Sequence, residues 1–301
     1  MPILPLLLMA ADAAPAPEQK WADLAVPESI RAMLDAAIAN GNDGEINTIV
    51  KYARAADPAS GDAVLRIATA WRNDRDAKRR AVIQEAGFLN LWTGKVELGG
   101  FLTTGNSDTA GASAILDATR EGLRWRQKLR GVADYQESLG TTTREHYLLS
   151  YEPNLKIDDR AYLYGQAQYE SDRFLGYYDR VSTSIGAGYS AIKSPSLTLD
   201  IELGPAFRYT NFTDDAMTSA LATRGSLNLG WKLLPGLSLR ETASAYVQRI
   251  NSTVSSSTAL NAKLIGPLSA QLSYNVQYES TPPAGSVSTD TTTRAALVYT
   301  F

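Results

Sequence analysis

The chain has 301 residues, a net charge of −3 from 29 Lys plus Arg against 32 Asp plus Glu, 44% apolar and 20% charged residues, no cysteine, and one histidine, His146. A balance this neutral offers no basic field for nucleic acid, and the apolar share is too high for a disordered chain. The missing thiols exclude a disulfide scaffold, thiol catalysis and Cys-based zinc or iron–sulfur centres, and a lone imidazole excludes any site needing two.

Ile3 to Ala11 is an apolar run of h-region length, and Ala11-Asp12-Ala13 is a small-x-small cleavage site, so residues 1–13 read as a signal peptide. Its basic n-region is truncated, because Met1 is followed by Pro2 and Ile3. Residues 14–25 are a Pro/Ala-containing linker. No run of 18 apolar residues follows, so no transmembrane helix is expected.

Residues 26–87 show helical period. Pro27 opens a helix with Ile30, Leu34 and Ile38 on one face, and Asn40-Gly41 closes it. Asp43 is the expected cap of a second helix carrying Ile46, Ile49, Val50 and Ala53, stopped before Pro58. Ser60 is the expected cap of a third, carrying Val64, Ile67, Ala68 and Trp71 and ending in the charged stretch Arg72 to Arg80. Three short helices bury little surface alone. Lys78-Arg79-Arg80 has the chemistry to touch anionic lipid or wall polymer, but a solvated helix end explains it better.

From Trp92 the period becomes 2 and stays so to the end. Leu268, Ala270, Leu272, Tyr274, Val276 and Tyr278 alternate with Ser269, Gln271, Ser273, Asn275, Gln277 and Glu279. The stretches from Leu197 to Tyr209 and from Leu221 to Leu233 do the same. About twelve such segments follow one another: 94–104, 109–121, 123–137, 143–157, 160–171, 177–193, 196–212, 219–234, 237–250, 257–266, 268–280 and 289–301.

Connections after even segments are tight (Gly122, Asp158-Asp159, Ser194-Pro195, Pro235-Gly236, Gly266-Pro267). Those after odd segments, such as 138–142 and 281–288, read as longer and polar. Alternating short and long connections with an even strand count predict an all-β fold, a 12-stranded antiparallel transmembrane barrel over residues 92–301 with a helical periplasmic region before it. A soluble sandwich gives no such rule.

The polar face is charged. Arg124, Arg126, Lys128 and Arg130 share one parity and are expected to line a wet lumen, with Asp117, Glu152, Glu170, Asp200 and Glu202 to balance them. Trp125, Trp231 and Tyr299 fall at the short-turn end, and Tyr135, Tyr147, Tyr169, Tyr209 and Tyr278 at the other, as two interfacial girdles. Glu241 shares parity with Leu237, Leu239 and Ala243, which predicts a bulge or register shift there.

Gly94-Lys95-Val96-Glu97-Leu98-Gly99-Gly100, then Thr103-Thr104-Gly105-Asn106-Ser107-Asp108 at the first hairpin, and the closing Ala295 to Phe301, resemble a bacterial family of salt-induced outer-membrane proteins of unknown function. The resemblance covers Trp92 to Phe301. It implies an outer-membrane barrel and a loose association with salt response, and carries over no catalytic residue. The strand ending in Leu297, Tyr299 and Phe301 also resembles the signal read by the barrel-assembly machinery, an edge that strand addition can pair until it closes on Val96 to Leu102.

Other motifs reduce to simpler readings. Gly100 to Ser107 nearly spells a P-loop, but Asn106 replaces the lysine and a strand follows, so Gly105-Asn106 reads as a tight turn with Ser107 and Asp108 bonding nearby amides. His146 has lumen parity and lacks a matching serine motif, so it reads as a hydrogen-bonded lumen histidine rather than part of a lipolytic triad. Asp214-Asp215 are solvated loop acids, and the sequons at Asn211 and Asn251 carry little meaning in a bacterial barrel.

Three functions compete. The first is a non-enzymatic envelope barrel, a narrow passive channel or a structural protein. The second is a module binding cell-wall polymer or a periplasmic partner. The third is a lipid-modifying barrel, disfavoured because no nucleophile, base and orienting acid converge. Outer-membrane lipid and the assembly machinery are the expected partners, with no cofactor and no metal.

Overall fold

A computed structural model describes residues 26–103, 109–214, 216–249, 251–282 and 287–301. The predicted signal peptide and linker and the predicted first hairpin at Thr104–Asp108 lie outside the described residues, as does Asp215. The chain divides into two units, one ending at Glu85 and one beginning at Ala86.

The first unit contains α1 (Glu28–Ala39), α2 (Asp43–Ala56) and α3 (Pro58–Glu85). Leu34, Ile46, Val64 and Ala68 form its closed core, with Ile30, Ile49 and Trp71 packed against them. The capping residues differ from expectation. Asn42, not Asp43, caps α2, accepting from the Gly44 and Glu45 amides at 3.0 and 3.3 Å. Asp57, not Ser60, caps α3, accepting from the Ala59 and Ser60 amides at 3.2 and 3.1 Å. Both caps sit one step outside the first helical residue, where amides are unsatisfied. Helix α3 also runs past Arg80 to Glu85, since no Gly or Pro interrupts it before Gly87 and the Lys78–Asp74 pair spans its middle at 2.9 Å.

Asp43 instead bridges α2 to α3, accepting from Arg75 at 2.8 Å and Arg72 at 2.9 Å. The Arg75 hydrogen bond, then that of Arg72, holds its carboxyl below the usual range. Asp57 is lowered likewise, by the Ser60 hydroxyl first and then by amides. A depressed folded pKa contributes stability that is present above the unfolded value, about 4, and lost as pH falls through the folded one. The helical circular-dichroism signal of the whole protein should therefore melt earlier at pH 3 than at pH 7. Asp43→Asn should lower the pH 7 midpoint and narrow the gap; an unchanged gap would remove Asp43 from the account.

The second unit is a closed antiparallel barrel of β1 (Trp92–Thr103), β2 (Thr109–Glu121), β3 (Trp125–Ser138), β4 (Thr141–Lys156), β5 (Ala161–Asp172), β6 (Tyr177–Lys193), β7 (Leu197–Phe212), β8 (Met217–Leu234), β9 (Leu237–Val247), β10 (Thr253–Lys263), β11 (Leu268–Glu279) and β12 (Thr289–Thr300). Each strand pairs with its sequence neighbours, and β12 pairs with β1. All twelve predicted segments are present. The largest boundary differences are β9, which ends at Val247 rather than residue 250, and β10, which spans Thr253–Lys263 rather than 257–266. The run Ser255-Ser256-Ser257 resembles loop composition yet pairs with β9 and β11 throughout.

The β3–β4 connection is another correction. It is the two-residue turn Leu139-Gly140, with φ of 51° and 76°, as a type I′ hairpin requires. The mid-strand prolines leave their mark where no N–H is available: β4–β5 pairing skips between Tyr151 and Asn154 around Pro153, and β6–β7 pairing skips between Ala206 and Leu203 around Pro205. The β1–β12 seam is short, from Lys95↔Thr300 to Leu98↔Leu297, rather than the expected 96–102. Phe301 extends it by exchanging two backbone bonds with Gly94 at 2.9 and 3.0 Å.

Polarity runs inside out. Leu221, Ile185 and Leu203 are 81, 68 and 62% exposed on the outer face, whereas Arg180 and Glu202 are buried inside at 2 and 1%. A soluble barrel reverses this order; a wall between lipid and a wet lumen demands it. Trp125, Trp231 and Tyr299 on the short-turn side, and Tyr135, Tyr147, Tyr169 and Tyr278 on the other, are exposed on the outer surface as the girdles predict, whereas Tyr209, with the same outward parity, is half-buried.

Glu241 does not shift. Pairing of β9 with β8 and β10 runs unbroken through it, so its side chain shares the outer parity of Leu239 and Ala243. Ser256 Oγ donates to its carboxylate at 2.6 Å, and Thr258 Oγ1 donates as well. Glu241 stands one outward position above Leu239, the register partner of Trp231, and so lies near the girdle, where the cost of a lipid-facing acid is small. Glu241→Leu should raise barrel stability by up to about 1 kcal/mol in vesicle unfolding by urea. Destabilisation would show that the two hydroxyl bonds outweigh desolvation.

Candidate functional site: the barrel lumen

Parity along β3 delivers three of the four predicted cations to the lumen. Arg124 departs: it lies in the β2–β3 turn and is exposed. Arg126 pairs with Glu121 at 2.5 Å, and Lys156 reaches the same carboxylate at 2.6 Å, at the short-turn mouth. Arg130 pairs with Asp117 at 2.7 Å, and Lys95 lies 3.6 Å from Asp117 while also bonding Glu97. Gln271 donates to Glu97 at 2.6 Å from β11, across the closing seam. Asp200 has no cation within 4.0 Å among the described residues; Ser190 Oγ donates to it at 2.5 Å, and Arg126 interacts with it from farther off.

Lys128 enters a four-member network that crosses the lumen. Its Nζ lies 2.7 Å from Glu152 on the adjacent β4 and 3.3 Å from Glu202 on β7. Arg224 on β8 closes the ring, 2.9 Å from Glu202 and 3.5 Å from Glu152. Ser226 and Tyr162 donate to Glu202 at 2.7 and 3.1 Å. Charges buried this deeply persist only when paired and hydrogen-bonded, as they are here.

A second network lies towards the opposite mouth. Arg180 on β6 reaches Glu279 on β11 at 2.8 Å, with its guanidinium 3.8 Å from the Tyr177 ring centroid. Asn251 donates to the same carboxylate at 2.6 Å. His146 has the predicted lumen parity: Nδ1 lies 3.5 Å from Asp134 and Nε2 3.4 Å from Glu170. Asp134 is also held by Arg294 of β12 at 2.6 Å. Among the described residues, no group of three or more metal-ligating side chains converges.

Beside these networks a cavity of about 390 Å³ remains, lined by residues of most strands. Its walls differ. The carboxylates Glu97, Asp117, Asp134, Glu152 and Glu170 come from β1 to β5 and Asp290 from β12, whereas the wall from β8 to β11 presents Arg224 and Arg240 amid Ser, Thr, Asn and Gln side chains and, among the described residues, no carboxylate. Sequence reasoning singled out neither Arg180, Arg208 and Arg224 nor the inward rings of Tyr162, Tyr164, Tyr177 and Tyr246. Their parity was readable; their partners lie strands away.

A family model described as "Protein of unknown function, DUF481" matches residues 96–301. The Escherichia coli (strain K12) protein described as "Uncharacterized protein YdiY" is 26% identical over 209 residues, covering 69% of this chain and 82% of that one. Among solved structures, the NanC porin aligns with a TM-score of 0.45 at 9% identity, over 68% of this chain and 98% of that one. An outer-membrane channel from Pseudomonas putida F1 aligns with a TM-score of 0.44 at 10% identity, over 72% of this chain and 100% of that one.

Proposed function

Starting from a chain that belongs to the DUF481 family, a family of unknown function, we propose that the barrel is a narrow passive channel of the outer membrane, constricted by ion pairs. The observation that carries this reading is the polar cavity of about 390 Å³ beside the Lys128–Glu152–Glu202–Arg224 network. It is large enough for a small solute and lined by groups that replace its hydration. The salt association of the resembling family belongs to the same proposal, since the more exposed pairs of Arg126 and Lys156 with Glu121 at the mouth weaken as ionic strength rises.

An even strand count puts both barrel ends on the short-turn side, which in outer-membrane barrels is the periplasmic one. The helices α1 to α3 then reside in the periplasm, and Phe301 offers its edge to the assembly machinery from that side. A tag at Gly285 should be accessible on intact cells and one at Gly41 should not; the reverse pattern would refute the topology. Single-channel recording in planar bilayers with salts of increasing ion size tests the channel itself. Discrete conductance with a size cut-off is expected, and a bilayer silent in every salt would make the barrel a structural one.

A further inference from the structure

We propose that the lumen cavity binds a small hydroxylated organic anion, anchored by Arg208 and reached through Arg240; this names the solute class of the channel proposed above and rests on that reading. The starting point is a charge imbalance. Cations lining the cavity on the ion-paired wall, Lys95, Lys128 and Arg130 among them, each have a carboxylate partner. Among the described residues, no carboxylate lies within 4.0 Å of the charged nitrogens of Arg208 or Arg240.

Arg208 is the more telling of the two. It is buried at 2% exposure, yet its contacts are all with neutral groups. Nε donates to Ser182 Oγ at 3.1 Å, Nη1 donates to Thr253 Oγ1 at 2.7 Å, and the guanidinium lies 4.1 Å from the Tyr246 ring centroid. Nη2 donates to no described atom, and the residue lines the cavity. Removing a guanidinium from water with no carboxylate in ion-pair contact is costly, and Glu170 and Glu279 act on this one only from beyond 4.0 Å. A visiting anion supplies what the fold omits, with the planar fork suited to a carboxylate. The two acids that act on it from farther off are occupied: Glu170 accepts from the Tyr177 hydroxyl at 2.8 Å and faces His146, and Glu279 pairs with Arg180 at 2.8 Å and accepts from Asn251 at 2.6 Å.

Arg240 marks a second station on the same wall. It lies six residues before Tyr246 on β9 with the same parity, roughly 20 Å away along the strand. Between them the cavity is lined by Thr242, Ser244, Ser255 and Ser257. These groups donate to and accept from hydroxyls without adding charge. Two cations joined by a neutral hydroxyl track suit a carboxylate bearing several hydroxyls, and the cavity volume fits one such molecule, not a folded polymer.

The test uses the full-length protein, folded in detergent and reconstituted into bilayers, with gluconate as the anion, sorbitol as its neutral counterpart and inorganic phosphate as the simpler anion. Calorimetric titration should show millimolar gluconate binding, at least ten-fold weaker sorbitol and phosphate binding, a ten-fold loss in Arg208→Gln and a several-fold loss in Arg240→Gln. Lys193→Gln, at the short-turn mouth, should leave binding unchanged. Gluconate should also reduce chloride current in wild type and do so less in both arginine variants. Equal binding of gluconate and sorbitol, or gluconate binding indifferent to Arg240→Gln, would overturn the site. Arg240→Gln also decides the matter should Arg208→Gln fail to give the heat-shifted band of a folded barrel. Binding without conductance would keep the site and remove the channel; conductance indifferent to gluconate and to both variants would keep the channel and remove the site.

Discussion

Glu202→Ala should cost the barrel about 3–5 kcal/mol, the range for breaking a buried ion pair from one side. Glu202 is 1% exposed and takes four donors from three strands: Lys128 of β3, Tyr162 of β5, and Arg224 and Ser226 of β8. Without it, Lys128 and Arg224 share Glu152 alone, and one positive charge stands uncompensated in the lumen. The loss should appear as a lower guanidinium midpoint in detergent, and the vacated carboxylate should raise single-channel conductance. Removing Arg224 as well restores the charge balance, so the double variant Glu202→Ala/Arg224→Ala should cost less than the sum of the two singles. A loss under about 1 kcal/mol would mean that lumen water screens the network as solvent screens a surface pair.

The strands were legible because a wall between lipid and water imposes one rule on every residue of every strand. Period 2 therefore persists from Trp92 to the end with few exceptions, and the exceptions are instructive. The parity of Glu241 predicts a bulge or a register shift. The structure keeps the register and supplies Ser256 and Thr258 from the neighbouring strand instead, a solution visible only once β9 and β10 are aligned. Leu139 gave no turn signal, since leucine rarely takes positive φ, and the hairpin was read as a longer loop. The helix caps were missed by one to three residues because Asn42-Asp43 and Asp57 with Ser60 offer competing oxygens, and backbone geometry alone decides which one faces the amides.

The lumen was legible by parity but not by partnership. Arg126, Lys128 and Arg130 point inward as alternation requires, yet nothing in sequence links Lys128 to Glu202, 74 residues away, or Arg180 to Glu279, 99 residues away. Such pairs depend on barrel closure and on the tilt that brings distant strands face to face. Parity on the polar face predicts a lumen of cations with Asp117, Glu152, Glu170, Asp200 and Glu202 to balance them. The structure pairs Arg126, Lys128 and Arg130 with carboxylates, and the cavity-lining cations with no carboxylate within 4.0 Å among the described residues, Arg208 and Arg240, lie on β7 and β9.

Gly188→Leu should destabilise the barrel by about 3 kcal/mol, at the upper end of ordinary overpacking. On β6 the inward positions Gly186 and Gly188 face Tyr164 and Tyr162 of β5 as register partners. A Cβ built on Gly188 would stand 2.2 Å from Tyr162 Cε2 and 2.3 Å from its Cζ, so the ring occupies the space that any side chain needs. Tyr162 is 5% exposed and lies flat over that backbone, which carries its hydroxyl to within 3.1 Å of Glu202. Displacing the ring thus breaks one of the four bonds that hold Glu202 and moves the π-face 6.0 Å from Lys128 Nζ. Gly188→Ala, with the same Cβ, should show a smaller loss of the same sign. Tyr162→Ala removes the obstacle, so Gly188→Leu should cost far less in that background than in the native one, a coupling readable from guanidinium midpoints in a double-mutant cycle. Additive losses would mean that residue 188 acts through strand geometry alone and that the ring does not position Glu202.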